Sequence, residues 1–174
     1  TVRKYQPDAL IFGPSFPESV SCIDLRWIGN EAGHGVDPHY PTVNPEDEKN
    51  YFRGHLGGER FIISEVDTSV RPGWFYHKAY DKQVKDTDKL IDLWFNSIGV
   101  SSTMLLNFPP DKRGLVFETD AKNAIDAHKI IEKVLSKNFA QNASVKAISV
   151  RDGFTAENVI NGNYEDVYVP EEGV

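Results

Sequence analysis

Phe61-Ile62-Ile63-Ser64-Glu65-Val66-Asp67 is a short run rich in β-branched and aromatic residues, closed by the turn Arg71-Pro72-Gly73, and it has the pattern of a strand. The period then changes. Asp86 or Thr87 is placed to cap a helix N-terminus, and Leu90, Ile91, Trp94 and Ile98 recur on one helical face until Gly99 stops it. Met104-Leu105-Leu106-Asn107-Phe108 returns to strand and ends at Pro109-Pro110-Asp111. A second helix is expected from about Asp120, its stripe formed by Ala124, Ile125, His128, Ile131 and Leu135. Strands alternating with helices in this way predict an α/β domain with parallel strands.

Working outward, Ala9-Leu10-Ile11-Phe12, closed by Gly13-Pro14, predicts a strand buried on both faces. Residues 14–60 have few apolar runs and many Gly, Pro, Asp and Asn, the composition of a long functional loop. Three or four strands with two helices are too few to close a barrel and too many for a stand-alone βαβ unit. After Asn138 the texture changes to short segments such as Ala143-Ser144-Val145-Lys146-Ala147-Ile148-Ser149-Val150, punctuated by Gly153 and Gly162. That is all-β texture, so the expected division is 1–138 and 139–174. Thr1-Val2-Arg3-Lys4-Tyr5-Gln6-Pro7-Asp8 resembles the last turn of a helix, and Pro170-Glu171-Glu172-Gly173-Val174 breaks off after a strand-like run. The expectation is a piece of something longer.

Composition narrows the function classes. Of 174 residues, 26 are Asp or Glu and 19 are Lys or Arg, a net charge of −7, with a sequence pI near 5.2 and no basic cluster; this argues against nucleic-acid binding. Mean hydropathy is −0.43, and no run approaches the ~18 apolar residues of a membrane span. Aromatic residues make up 11% of the chain, enough with the aliphatic runs to bury a core and exclude disorder. Cys22 is the one cysteine, so no intrachain disulfide framework exists.

Polar residues gather where strands end, and in a (β/α)₈ barrel those loops carry the chemistry. Three clusters qualify: Arg26-Trp27-Ile28-Gly29-Asn30-Glu31-Ala32-Gly33, Glu65 through His77, and Asn107-Phe108-Pro109-Pro110-Asp111. Carboxylates beside tryptophan suit carbohydrate chemistry. The indole packs on a sugar's C–H face, and a partly buried carboxyl with a raised pKa can serve as general acid. The alternative is structural, with Trp27 and Trp74 packing a barrel and Glu31, Glu65 and Asp67 serving as loop caps and ion pairs. His34 and His39 flank Asp37 at a spacing that matches no common zinc pattern, so no metal is expected. Gly29, Gly33 and Gly35 make no phosphate loop, there is no Gly-x-Ser-x-Gly elbow, and Cys22 has no sign of activation. His128, on the stripe of a predicted helix, is expected to be a packed or hydrogen-bonded core histidine. Asn142-Ala143-Ser144 fits a glycosylation sequon, of consequence only in a eukaryotic secretory setting.

At the three clusters the chain resembles the α-L-fucosidases of glycoside hydrolase family 29, in particular the branch specific for α-1,3- and α-1,4-linked fucose. Arg26 through Gly33 is similar to that branch's Arg-Trp-x-Gly-Asn-Glu-x-Gly motif, and Glu65 through His77 to its Glu-x-Asp-x-Ser-x-Arg-x-Gly-Trp-Phe-Tyr stretch. Met104 through Gly114 resembles its Leu-Leu-Leu-Asn-x-Pro-Pro-Asp-x-x-Gly final strand and turn. The resemblance implies the C-terminal portion of a (β/α)₈ TIM-type barrel over 1–138 and a retaining mechanism, in which an Asp nucleophile is paired with a Glu general acid/base. On the matching motif the acid/base falls on Glu31, with Glu65 as runner-up; Arg26, Trp27 and Trp74 are implied to face substrate. Family members need no metal and no organic cofactor.

The family's nucleophile sits in a Trp-x-Asp-Gly motif roughly forty residues before the Arg-Trp motif, and no such motif precedes Arg26 here. The resemblance therefore places the nucleophile upstream of Thr1, with the first half of the barrel as a partner and a fucosylated glycan as substrate. It also implies action in the periplasm or outside the cell. A glycan-binding protein on the same scaffold without catalysis is the alternative. Residues 143–174 resemble the opening of a discoidin-like or carbohydrate-binding β-sandwich. There Asn158-Val159-Ile160-Asn161-Gly162-Asn163-Tyr164 matches the module's Asn-x-x-Asp-Gly turn, and Tyr168 stands where a Trp is common.

Overall fold

A computed structural model describes residues 2–13, 23–28, 30–47, 50, 52–163 and 165–171. Cys22, Gly29 and Tyr164 lie outside the described residues. The chain divides into two compact units, 1–129 and 130–174.

The first unit is built on a parallel sheet. Its strands are β1 (Phe12–Gly13), β2 (Leu25–Trp27), β5 (Ile63–Ser69) and β6 (Thr103–Asn107), in the order β1-β2-β5-β6. The short strands β3 (Thr42–Val43) and β4 (Arg60–Phe61) pair antiparallel beside it. Helix α1 (Val2–Tyr5) precedes the sheet, α2 (Thr87–Ser97) joins β5 to β6, and α3 (Glu118–Leu135) follows β6. The alternation of strand and helix from residue 61 onward thus has the parallel register expected of it.

Local chemistry explains the boundaries. Asp86 caps α2 by accepting from the Lys89 N–H at 2.9 Å. The helix ends at Ser97, runs on as a 3₁₀ turn over Ile98–Val100, and stops at Ser101 in the left-handed region (φ 65°). The buried face of α2 is Leu90, Leu93 and Ser97, rotated from the expected Leu90–Ile91–Trp94–Ile98 stripe, and Ile98 is exposed. On α3, Asp120 and Ala127 are buried and Ala124 packs beside them, whereas Ile125, His128 and Leu135 are exposed. His128 is therefore not a core histidine. Ala127, with Ala124 beside it, instead packs into the cluster of Val70, Leu90 and Leu93.

β1 also departs from expectation. Leu10 and Phe12 are exposed, because β1 is the sheet's edge strand and pairs only over Phe12↔Leu25 and Gly13↔Arg26. Two apolar clusters hold the unit: Ile23, Val43 and Ile62 with Ile11, and Val70, Leu90, Leu93 and Ala127 with Met104, Leu106 and Phe108 among the flanking residues. A fully buried leucine such as Leu93 contributes on the order of 1.5–3 kcal/mol.

Strand alternation sorts the side chains. Val66 and Thr68 of β5, opposite Met104 and Leu106 of β6, point to the face covered by α2 and α3. Glu65, Asp67 and Ser69, opposite Thr103, Leu105 and Asn107, point to the other face, where Leu105 is exposed. Trp27 of β2 pairs with Glu65 and shares that second face.

The second unit has no strand among its described residues, although 143–150 carries strand-like texture. A ladder needs a partner's N–H and C=O groups; here extended segments are tied at points instead. The Tyr168 hydroxyl donates to the Ser149 carbonyl at 3.1 Å, and the Arg151 N–H donates to the Val169 carbonyl at 2.9 Å. A 3₁₀ turn spans Ala156–Val159, and Asn161 Oδ1 accepts from the Asn163 N–H at 2.8 Å beside Gly162 at φ 79°.

Candidate active site at the carboxyl ends of the strands

The loops after β2, β5 and β6 leave the sheet at the same edge, because the three strands run parallel. The β2 loop carries Asn30 and Glu31. Asn30 Oδ1 accepts from the Ala32 N–H at 2.9 Å, which curls the loop, and Gly33 completes the turn at φ 77°. A Cβ at Gly33 would lie 2.6 Å from Thr68 Cγ2 and 2.7 Å from Leu93 Cδ2, so only glycine lets this loop lie against β5 and α2.

The β5 loop brings Trp74 back to that carboxylate: its indole N–H donates to Glu31 Oε2 at 2.9 Å. The Asn107 side-chain amide, at the end of β6, donates to the Trp74 carbonyl at 3.0 Å and to Ser69 Oγ at 3.1 Å. Three strand ends are thereby tied around one exposed carboxylate. Beneath the Glu31–Trp74 contact lies a cavity of about 200 Å³ lined also by Ser69, Arg71 and Lys85. Lys85 Nζ donates to the Ser69 carbonyl at 2.5 Å; burial, and then the charge of Lys89, hold its ammonium below the usual lysine range.

A carboxylate pair, Glu65 and Asp67, lies on the same face as Trp27. Trp27 Nε1–H donates to Asp67 Oδ1 at 2.9 Å, and Glu65 is Trp27's register partner. Burial, and then the negative charge of Asp67, push the Glu65 carboxyl above the usual glutamate range. Such a carboxyl is better suited to hold a proton than an exposed one.

No protein-family model matches the chain. The chain is 31% identical over 98% of its length to α-L-fucosidase 1 of Arabidopsis thaliana, and covers 34% of that protein. It superposes on a Ruminococcus gnavus family 29 fucosidase solved in complex with fucose at TM-score 0.74, with 26% identity, covering 91% of this chain and 33% of that one. On the crystal structure of a Bacteroides thetaiotaomicron protein assigned as an α-L-fucosidase, 99% of the chain superposes at TM-score 0.85 with 36% identity, covering 39% of that chain. Over nearly its whole length the chain is thus similar to α-L-fucosidases, among them a glycoside hydrolase family 29 enzyme. The chain spans about a third of the length of the curated relatives it matches.

In this chain Trp27, Glu31, Glu65 and Trp74 lie on the site face or at its rim, but Arg26 does not. Arg26 pairs with Ser64 in register and so points to the opposite face, fully buried. Its guanidinium donates to the Tyr40 carbonyl at 2.8 Å and the Phe52 carbonyl at 3.1 Å, with His39 Nε2 at 3.2 Å. It ties the backbone at Tyr40 and Phe52 to the sheet. Residue adjacency concealed this, since the neighbours Arg26 and Trp27 necessarily face opposite ways on a strand.

Asp67, Arg71 and Asn107 stood in the candidate clusters without an assigned role, and Lys85 stood outside them. The two-residue periodicity of 65–69 is the signal that would have found Asp67 beside Glu65. Lys85 has no sequence signal, as it reaches the cavity only through the fold. Among the described residues no group of three or more His, Cys, Asp or Glu is placed to hold a metal ion, and no helix is long and apolar enough to cross a membrane.

Proposed function

We propose that the chain forms the C-terminal portion of the catalytic barrel of a retaining α-L-fucosidase acting on α-1,3- or α-1,4-linked fucose, with Glu31 as general acid/base. The observation that carries this reading is the Trp74–Glu31 hydrogen bond, which fixes a solvent-facing carboxylate where three parallel strand ends converge. Barrel enzymes place their chemistry at that edge. Glu65 is the runner-up: its raised pKa favours an acid, but it lies four residues before the end of β5 rather than in the loop beyond it.

In this reading an Asp carried upstream of Thr1 attacks the anomeric carbon. Glu31 protonates the departing glycosidic oxygen and then takes a proton from the water that releases fucose. Trp27 and Trp74 offer the apolar faces on which the sugar packs. Residues 139–174 begin a β-sandwich module, a reading supported by the Asn161–Gly162 turn.

The test follows the anomer released when the enzyme containing this chain meets an α-1,3/1,4-fucosylated oligosaccharide, read by proton NMR. Initial appearance of α-L-fucose supports the reading. Initial β-L-fucose contradicts retention, and saturable binding without release identifies a glycan-binding protein instead.

A further inference from the structure

Arg71 has no place in the chemistry above, yet it is fully buried two residues past the end of β5. Its Nε and one terminal nitrogen donate to the two carboxylate oxygens of buried Asp120, at 2.5 and 2.8 Å. The other terminal nitrogen donates to Asp81 at 2.9 Å. The rings of Tyr76 and Phe117 lie 4.7 and 5.0 Å from the guanidinium carbon. One guanidinium thus joins the β5 exit, the loop through residue 81 and the first turn of α3.

Trp74 lies within the short span between Arg71 and Tyr76, both of which belong to this cluster. Pro72 restricts its own φ, Gly73 takes φ 74°, and Asn107 holds the Trp74 carbonyl, so little freedom is left in the span. We infer that Arg71 is a positioning residue that sets the Trp74 indole against Glu31 by anchoring both ends of the loop that carries it. This rests on the assignment of Glu31 as acid/base. Lysine cannot replace the fork, because one ammonium cannot reach both oxygens of Asp120, reach Asp81 and stack between two rings together.

The experiment compares kcat/KM for two fucosides in the enzyme containing this chain. One has an alkyl leaving group that requires protonation; the other has a dinitrophenolate leaving group that does not. For Arg71→Lys the alkyl fucoside is expected to lose on the order of 10²-fold, the scale of a misplaced catalytic group. The dinitrophenyl fucoside should lose no more than about threefold. Equal losses on both, the outcome of a merely structural role, or no loss on either overturns the inference. Asp81→Asn, which leaves the Asp120 fork intact, decides the matter if Arg71→Lys does not fold; the same leaving-group split is expected and its absence overturns the inference. Glu31→Ala run in parallel separates the two levels. A split there without one in the Arg71 and Asp81 variants sinks the positioning role alone, and no split in Glu31→Ala sinks the acid/base assignment beneath it.

Discussion

The indole N–H of Trp74 donates to Oε2 of Glu31 at 2.9 Å across 43 residues of sequence, joining the loop after β5 to the loop after β2. Hydrogen bonds to a charged group contribute about 1.5–3 kcal/mol, and this one also selects a rotamer of an otherwise exposed carboxylate. Trp74→Phe keeps an aromatic face for the sugar and removes the donor. It is expected to lower kcat/KM on an unactivated fucoside by about 10- to 100-fold, the rate equivalent of that energy. Steady-state kinetics on the enzyme containing this chain check it.

Arg26 makes a contrasting prediction, since it ties the backbone at Tyr40 and Phe52 on the face away from the site. Arg26→Ala strands the Tyr40 and Phe52 carbonyls and is expected to cost about 2 kcal/mol or more of stability, seen as a lower midpoint in urea. Where the variant stays folded, KM for the fucoside should be unchanged. A large KM increase at unaltered stability would return Arg26 to the substrate side.

Stability should also depend on pH through His39. Its Nδ1 faces the Val100 carbonyl at 3.0 Å, while Nε2 faces Ser64 Oγ at 2.8 Å and the Arg26 guanidinium at 3.2 Å. A carbonyl can only accept, so the proton sits on Nδ1 and Nε2 accepts. Burial, and then the Arg26 charge, hold the imidazole below its ordinary value of 6.5. The folded form therefore binds fewer protons than the unfolded one in the window below that value. The stabilisation is present in full above 6.5 and is lost as pH falls through the depressed folded value. Tm should drop between about pH 7.5 and about pH 5, and His39→Gln should flatten that slope.

Gly33→Ala meets two penalties together, a left-handed backbone worth about 1–2 kcal/mol and a methyl driven against Thr68 and Leu93. The loop carrying Glu31 must shift to accommodate it. Thermal unfolding should show a lower midpoint, with kcat reduced together with stability.

Much of this was legible in advance because it is local. The change from strand to helix period placed β5, α2, β6 and α3, and residue type narrowed the α2 cap to Asp86 or Thr87, of which the fold uses Asp86. Glu31 and Trp74 were visible as a carboxylate and an indole in separate motifs, but their contact spans two loops and is fixed by Asn107 and the Arg71 cluster. The three-residue strand β2 is too short to show a period, and with it went the knowledge that Arg26 faces away from Trp27. The helix stripes were misjudged by a fraction of a turn: hydrophobicity favoured Ile125 and Trp94, whereas the buried positions are Ala127 and Leu93. At 143–150 apolar content suggested strands, but a ladder depends on a partner that no single segment encodes.

The central claim is that Glu31 donates the proton to the leaving group. Glu31→Ala and Glu65→Ala, assayed side by side for release of fucose from an unactivated fucosylated oligosaccharide, test it most directly. The account predicts a loss of about 10²- to 10⁴-fold in kcat/KM for Glu31→Ala, with Glu65→Ala retaining most activity. Near-normal turnover by Glu31→Ala, with the deep loss in Glu65→Ala, would contradict it.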